Sequence, residues 1–277
     1  GTIAVVGAAG ESSFIHTQFQ HQNQPPPPAA PSGHALSSAA VNGIPFRGML
    51  SVFHSDLRLE KSEIMFATGD DGVNVKHGRI EIRYNNFHDN SADAIDTDFV
   101  SGAVEANIFI KNGNDAVDMS GSDLVIRDNT ITQSGDKGLS IGEKSKAIVF
   151  NNAVSRSTEG IAVKDSSQAE IVNNVLAANK TGLSLYRKKE IFNGGEARLI
   201  NSIVWDNETQ IKSDELSKID VVASSVEGGW NDKDTLVIAP VFINQENGNY
   251  TLARGKNTLL LRGGDIATLK KYIDFTG

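Results

Sequence analysis

The chain contains few of the residues on which several common classes of protein depend. Its 277 residues include no cysteine, so disulfides and thiolate metal sites are excluded. No apolar run is long enough to span a membrane. Lysine and arginine number 26 against 34 aspartates and glutamates, and the net charge of −8 argues against a nucleic-acid partner, which would require a basic surface.

Proline is also scarce, and its distribution is informative. Of seven prolines, four form the run Pro25–Pro28, which predicts an extended excursion loop over residues 20–45. Before this run, the string IAVVGAAG at positions 3–10 imitates the start of a dinucleotide-binding fingerprint. No helical pattern follows it, and the prolines occupy the place of the required helix and second strand. Nucleotide binding is therefore not favoured.

What the chain does have is a 22-residue period. Glycine or alanine followed by an apolar residue recurs in register, at Gly72-Val73, Ala94-Ile95, Ala116-Val117, Gly138-Leu139, Gly160-Ile161 and Gly182-Leu183. Apolar and polar residues alternate after each pair, which predicts a half-buried strand, and a second short strand is predicted in each unit, as at Ile80–Ile82. A fixed period of this length indicates stacked units rather than a globule with one central core.

Asparagine follows the same period. A column of five, spaced 22 residues apart, comprises Asn85, Asn107, Asn129, Asn151 and Asn173. Stacked amides in equivalent positions can hydrogen-bond to one another along the stack. We therefore expect this column to be structural.

The repeated units resemble the right-handed parallel β-helix superfamily, the fold of pectate lyases and polygalacturonases. The resemblance covers residues 49–186, in which seven coils can be counted. It implies an all-β, single-stranded right-handed parallel β-helix of about 22 residues per coil, forming one domain over residues 1–277. A globular α/β fold is the alternative, but no amphipathic helix of useful length separates the strands.

The region after the regular coils is expected to differ from them. Residues 187–195 interrupt the register and predict an excursion loop, and residues 206–277 predict irregular terminal coils and a cap. Within them, Ala239–Gly255 resembles the closing strands of bacterial β-helix proteins. A cap is expected on physical grounds, because an open last coil would expose strand edges and apolar interior.

Acidic residues occupy equivalent positions in successive coils. Three columns contain Asp71, Asp93, Asp115 and Lys137; Asn74, Asp96, Asp118 and Ser140; and Lys76, Asp98, Ser120, Gly142 and Lys164. Two carboxylates about 5 Å apart repel by roughly 3 kcal/mol at an effective dielectric constant of 20. Such a stack needs protons, lysines or a cation, and oxygen ligands favour Ca²⁺. The alternative is a solvated surface neutralised by its lysines.

Part of this region is similar to the motifs of polygalacturonases. Three positions match the family, namely Asp93, Asp115 and Lys164. Three differ, because Asn114 replaces the general acid, Lys137 the histidine and Ala162 the arginine. An amide cannot protonate a leaving group, so hydrolysis of the polygalacturonase type is not expected.

Calcium-dependent polysaccharide lyases of the same fold resemble the chain more closely in chemistry. That resemblance implies a Ca²⁺ site formed by Asp93, Asp96, Asp115 and Asp118. Lys137 or Lys164 would be the base that removes the proton next to the uronate carboxylate, with Asp115 also in the catalytic group.

Other residues of the same columns are expected to contact the substrate. These are Lys76, Asp98 and Tyr186. His54 and His77 share a column in adjacent coils and are interpreted as surface turn residues. The expected partner is an acidic polysaccharide, and the expected location is extracellular or at the cell surface, within a longer protein. A non-catalytic binding or structural module, such as an adhesin, remains open.

Overall fold

A computed structural model describes residues 2–20, 39–41, 44–230 and 235–257, together with residues 264, 265, 267 and 270. Most of the proline-rich loop predicted over residues 20–45 lies outside the described residues, as does the end of the predicted cap. None of the helices in the described part of the chain is long and apolar enough to cross a membrane.

The described chain consists almost entirely of short strands. In chain order they are β1 (Ile3–Val6), β2 (Ser12–Ile15), β3 (Gln18–Gln20), β4 (Ala39–Val41), β5 (Ile44–Phe46), β6 (Gly48–Phe53), β7 (Leu57–Glu60), β8 (Glu63–Met65), β9 (Asp71–Arg83), β10 (Asn86–His88), β11 (Asp93–Glu105), β12 (Ile108–Ile110), β13 (Val117–Ser120), β14 (Asp123–Arg127), β15 (Thr130–Thr132), β16 (Lys137–Gly142), β17 (Lys146–Phe150), β18 (Ala153–Ser155), β19 (Glu159–Lys164), β20 (Gln168–Val172), β21 (Val175–Ala177), β22 (Thr181–Tyr186), β23 (Glu196–Ile200), β24 (Ile203–Trp205), β25 (Thr209–Ser213), β26 (Lys218–Val222), β27 (Ser224–Val226), β28 (Thr235–Leu236), β29 (Phe242–Asn244) and β30 (Asn249–Leu252). A 3₁₀ turn, Gln245–Asn247, precedes β30.

The strands stack in parallel to form three faces, one strand per face in each coil. The first face contains β1, β6, β13, β16, β19, β22, β25 and the first halves of β9 and β11. The second contains β2, β7, β14, β17, β20, β23, β26 and the second halves of β9 and β11. The third contains β3, β8, β10, β12, β15, β18, β21, β24, β27 and β28. The predicted all-β parallel β-helix is confirmed.

The third face was not predicted from the sequence. Most of its strands have three residues, with one buried side chain between two outward ones, as in Asn86–His88 and Ile108–Ile110. A single inward residue gives no alternation to detect. The inward residues Phe87 and Phe109 stack with ring centroids 4.9 Å apart inside the coil.

Each coil bends sharply between faces, and the bends use the left-handed backbone region. In the coil from Asp93, for example, φ is +55° at Phe99, +51° at Ala106 and +54° at Lys111. Residues with a Cβ atom adopt this conformation at a cost of about 1 kcal/mol or more, and Asn and Asp tolerate it best. The bends therefore hold conformational strain that the stacked faces must offset.

Just after the bends, polar side chains point inward and form ladders. At the bend between the second and third faces, Asn85 Nδ2 donates to Asn107 Oδ1 at 3.0 Å and Asn129 Nδ2 donates to Asn152 Oδ1 at 2.9 Å. The ladder then continues to Asn174. Each amide also donates to a backbone carbonyl, so the buried polar groups at the bend are satisfied.

The predicted asparagine column forms one continuous ladder through Asn129, and Asn151 and Asn173 do not continue that ladder. The turn after β16 has two consecutive left-handed residues, Glu143 and Lys144, and that coil has 23 residues. The extra residue moves the inward position to Asn152 and Asn174. Asn151 and Asn173 instead lie on the outside, where Asn173 Nδ2 donates to Asn151 Oδ1 at 2.9 Å.

The C-terminal strands β29 and β30 form an antiparallel hairpin beside the stack. A guanidinium nitrogen of Arg156 donates to the carbonyl oxygens of Gln245 and Glu246 at 3.2 and 2.8 Å. The hairpin therefore lies against the bend that follows the third face. Its role as a cap remains a prediction, because residues 258–263 and 271–277 lie outside the described residues.

Replacing a rung of the asparagine ladder should destabilise the fold. Asn129→Ala removes two donors and the acceptor of two hydrogen bonds from Asn107. We expect it to lower the free energy of unfolding by about 2–4 kcal/mol, measured by urea denaturation. The matched control is Asn151→Gly, since Asn151 is exposed and glycine suits its φ of +56°. Its expected loss is below about 1 kcal/mol, and equal losses in both variants would contradict a structural ladder.

Candidate functional site

The acidic columns lie on the outside of the first face, on β9, β11, β13, β16 and β19. Alternation along each strand turns Ile95 and Val117 inward, where both are fully buried. Asp96 and Asp118 follow these residues in their strands and therefore lie on the outer side. The two aspartates are paired in register with each other. We call the carboxylates of Asp71, Asp93, Asp96, Asp115 and Asp118 the acidic ladder.

The first column, whose direction the sequence leaves open, lies at the bend where the chain enters this face. Asp71 and Asp115 are 3% and 2% exposed. Asp93 Oδ1 accepts hydrogen bonds from the Asp115 backbone N–H at 2.8 Å and from Asn114 Nδ2 at 2.7 Å. Asp115 Oδ1 in turn accepts from the Lys137 N–H at 2.8 Å. Each carboxylate thus bridges its own coil to the next.

Two nearly buried lysines flank the ladder, each 6% exposed. Lys137 Nζ lies 3.7 Å from Asp115 Oδ1 and hydrogen-bonds to Asp136. Lys164 Nζ donates to Ser140 Oγ at 2.6 Å and lies 3.9 Å from Asp118 Oδ1. The structure therefore brings the predicted lysines and aspartates into one charged cluster.

Burial and mutual repulsion raise the pKa values of the ladder. Burial raises the pKa of Asp71 and of Asp93 well above the usual range, and neighbouring carboxylates add to the effect. Burial, with the charges of Asp118 and Asp98, raises the pKa of Asp96 to about 7. The pKa of Asp115 is also raised to about 7 by burial, although Lys137 opposes the shift. Near pH 7, the carboxyl groups of Asp96 and Asp115 are therefore each partly protonated.

Several acceptors on this face lack hydrogen bonds. Asp71 Oδ2, Asn74 Oδ1 and Asp118 Oδ1 are buried and find no hydrogen-bond partner among the described residues. Such atoms cost about 1–3 kcal/mol each if they stay unsatisfied. Their hard oxygen chemistry suits Ca²⁺. Within the described ranges, however, no three carboxylate or histidine side chains converge as a ready set of metal ligands.

The residues predicted to bind substrate lie in the third column. Lys76 pairs with Asp98 through their side chains at the first coils of the site. Tyr186 lies at the other end, where its hydroxyl is 3.5 Å from Glu159 Oε2. Burial and the charge of Glu159 raise the pKa of Tyr186, so its hydroxyl keeps its proton.

Asp136 and Glu159 belong to this cluster but were missed in the sequence. Although burial opposes it, the charges of Asp115 and Asp136 hold the pKa of Lys137 above its ordinary value. Glu159 lies in register with Lys137, 22 residues later, so the period itself carried the signal that would have found it.

A loop borders the third column near Lys164. Residues 187–195 leave the stack after β22 and return at β23, as the sequence predicts. The backbone N–H groups of Lys188 and Lys189 donate to Asp165 Oδ1 at 2.7 and 2.8 Å, and Lys189 pairs with Glu143. These contacts hold the loop against the bend beside the acidic face.

The geometry defines a parallel β-helix with a charged outer face. The pattern described as the right handed beta helix region matches residues 71–226, more than half of the chain. The chain therefore belongs to the right-handed β-helix family. Among curated proteins, no sequence matches it significantly.

The solved structures that are similar to this chain share little sequence identity with it. The periplasmic alginate epimerase AlgG is 14% identical over 69% of this chain and 48% of its own, with a TM-score of 0.44. An alginate lyase from Paenibacillus sp. str. FPU-7 is 12% identical over 78% and 92%, with a TM-score of 0.42. The pectate lyase Pel9A is 12% identical over 76% and 66%, with a TM-score of 0.44. The chain spans about half the length of the epimerase.

The raised pKa values predict that stability falls as pH rises. Between their ordinary value of 3.8 and about 7, the folded carboxyls of Asp96 and Asp115 keep protons that the unfolded chain releases. Their contribution to the free energy of unfolding is therefore fully present below pH 4 and is lost as pH rises through about 7. We expect Asp115→Asn to flatten this decline by about 3 kcal/mol in urea denaturation at pH 5 and pH 8.

The matched control is Asp123→Asn, because Asp123 is exposed on the second face. It should leave the decline unchanged. A decline of the same size in Asp115→Asn and in the unsubstituted protein would show that Asp115 ionises normally.

Proposed function

We propose that the chain binds an acidic polysaccharide across its first face and cleaves it by Ca²⁺-dependent β-elimination. The observation that carries this proposal is the pair of nearly buried lysines, each within 4 Å of a ladder carboxylate. Desolvating two ammonium groups and several carboxylates costs free energy, and a structural face has no need of such an arrangement. Buried charges of shifted pKa, such as Asp115 and Lys137, are typical of functional sites.

The two lysines suit different roles. Lys137 lies between Asp115 and Asp136 and stays charged, so it suits the binding of a uronate carboxylate. Lys164 donates to a neutral hydroxyl, Ser140 Oγ, and its nearest carboxylate oxygen in an ion pair is 3.9 Å away. Because Lys164 Nζ lies farther from its carboxylate partner than Lys137 Nζ lies from Asp136, we assign Lys164 the role of base.

The proposed β-elimination moves one proton and breaks one glycosidic bond. The base takes the proton from the carbon next to the uronate carboxylate, and the electron pair forms a double bond as the adjacent glycosidic C–O bond breaks. The leaving oxygen then receives the proton that the base has taken, which regenerates the base, and one new chain end is unsaturated. Asp115, whose pKa is about 7, can exchange protons beside Lys137, and the Tyr186 hydroxyl can donate a hydrogen bond to the sugar.

The proposed ion would be held by Asp93, Asp96, Asp115 and Asp118. Its donors fit Ca²⁺ in chemistry, and Asp118 Oδ1 accepts no hydrogen bond among the described residues. Since no three protein ligands converge in the described ranges, the uronate carboxylate would complete the set. When bound, Ca²⁺ supplies the positive charge that acidifies the carbon next to that carboxylate.

The second candidate is a binding module without turnover. The observation in its favour is Asn114, whose side-chain amide donates a hydrogen bond to Asp93 at 2.7 Å. In the resemblance to polygalacturonases, this asparagine stands at the position of the general acid. Both functions share an acidic polysaccharide as partner, which would place the protein at the cell surface or outside the cell. Product formation distinguishes them.

Calcium should stabilise the folded protein, because it would bind the ladder only when the ladder is assembled. At a free Ca²⁺ concentration 100 times the dissociation constant, the expected gain is about 2.7 kcal/mol, which is read as a higher melting temperature. Asp118→Asn should reduce this shift, and the exposed-site control Asp123→Asn should retain it. A melting temperature unaffected by Ca²⁺, with no heat in calorimetry, would show that protons and lysines neutralise the ladder without an ion.

Cleavage should be visible in a screen of uronate polymers with Ca²⁺, through the ultraviolet absorbance of unsaturated ends. We expect Lys164→Met and Asp115→Ala to lower kcat at least 100-fold, as loss of a base or proton-exchange group does. The control Lys146→Met, on the exposed edge of the second face, should keep full activity. Binding without product on every polymer would support the module instead.

A further inference from the structure

An exposed stack of three rings borders the acidic face. His54, His77 and Phe99 occupy equivalent positions in successive coils, at the bend between the first and second faces. The ring centroids of His54 and His77 are 4.7 Å apart with planes inclined by 9°, and those of His77 and Phe99 are 5.1 Å apart with planes inclined by 5°. The histidines predicted as simple turn residues are therefore part of an ordered stack.

Phe99 ends the stack and is poorly explained by the fold. Its side chain is 62% exposed, and its φ is +55°. Both features are unfavourable for phenylalanine. The equivalent residue one coil later is Gly121, with φ +61°, which serves the same bend without strain. The glycine shows that this bend can form without an aromatic side chain.

The same glycine leaves the outer part of the ring accessible. Gly121 has no side chain, and a Cβ atom there would lie 2.8 Å from two carbon atoms of the Phe99 ring. His77 packs in parallel on the inner side of that ring and orients it. The ring is thus stacked on His77, and most of its surface is exposed to solvent.

This ring lies beside the proposed substrate site. Phe99 directly follows Asp98, and Asp96, Asp98 and Phe99 lie on one coil in that order from the face to its edge. Lys76 pairs with Asp98 in the neighbouring coil and lies 5.9 Å from the Phe53 ring centroid. A polymer held by the acidic face would reach the ring by extending over Asp98.

We propose that the exposed face of Phe99 is a stacking subsite for one pyranose ring of the acidic polysaccharide that binds the first face. The inference rests on the proposed function for the identity of the polymer. A pyranose presents C–H groups on one face and hydroxyls at its rim. Phe99 would cover the apolar face, while Asp98 and Lys76 lie within reach of the rim. Phe99 thereby sets the position of the chain and does not take part in bond cleavage.

The test compares Phe99 with a matched aromatic elsewhere. Tyr84 is 60% exposed and has φ +60°, but it lies at the bend between the second and third faces. Binding is measured by native electrophoresis through gels that contain polygalacturonate or alginate, with Ca²⁺ present. Phe99→Leu should weaken the apparent affinity about tenfold, as expected for loss of one aromatic contact face. Phe99→Tyr should stay within about twofold of the unsubstituted protein, and Tyr84→Leu should have no effect.

Melting temperatures of all variants establish that each one is folded. The inference is overturned if Phe99→Leu migrates like the unsubstituted protein, if Tyr84→Leu weakens binding equally, or if neither polymer retards the unsubstituted protein. Retardation that depends on Phe99 without unsaturated product would sink the proposed cleavage and leave the subsite standing. Equal kcat/KM for the unsubstituted protein and Phe99→Leu would sustain cleavage and remove the subsite.

Discussion

The whole structure depends on parallel pairing in register between successive coils, in most of which equivalent residues are 22 or 23 positions apart. Each side chain then lies about 4.8 Å from its equivalent above and below. That spacing is favourable for amides, which hydrogen-bond, and for aliphatic or aromatic groups, which pack. It is unfavourable for identical charges. This constraint accounts for the inward columns, from the buried valines and isoleucines to the asparagine ladder.

The acidic ladder is the place where the constraint is violated. Five aspartates occupy two adjacent columns over three coils, and their repulsion is relieved by raised pKa values and two buried lysines. Hydrogen bonds such as that from Asn114 to Asp93 use the carboxylates as bridges between coils. The site is therefore built into the stacking of the fold, and its electrostatics cannot be altered without affecting the contacts between coils.

The period made most of the fold predictable. A strand with two or more inward residues could be recognised by alternation, as with Val73 and Val75. The register also placed Asp96 beside Asp118. The strands of the third face could not, because most of them place one side chain inside. The shift from Asn151 to Asn152 was hidden for a related reason, since the added residue at Glu143–Lys144 lies in a bend without a fixed pattern.

The candidate site was predicted in composition but not in orientation. Sequence spacing grouped Lys137, Lys164 and the aspartates. The direction of the Asp71 and Asp115 side chains at the bend is evident only from the structure, in which both are buried. Their burial decides the pKa values, and no periodicity reports burial at a corner. Asp136 was missed because the equivalent residue one coil earlier is Asn114, not a carboxylate, and the proposed role of Phe99 depends on a ring orientation that the stack on His77 defines.

The coil that contains Glu143 and Lys144 has 23 residues, and the next coil has 22. This difference indicates how such a chain can change in evolution. Because an added residue is absorbed at a bend, strand registers before and after it remain intact. Loss or duplication of one complete coil would likewise bring equivalent residues back into contact, and the outer face would become shorter or longer by about 4.8 Å. Within this architecture the length of the outer face can change by whole coils when the gene gains or loses one repeat, while the chemistry of each remaining coil is preserved.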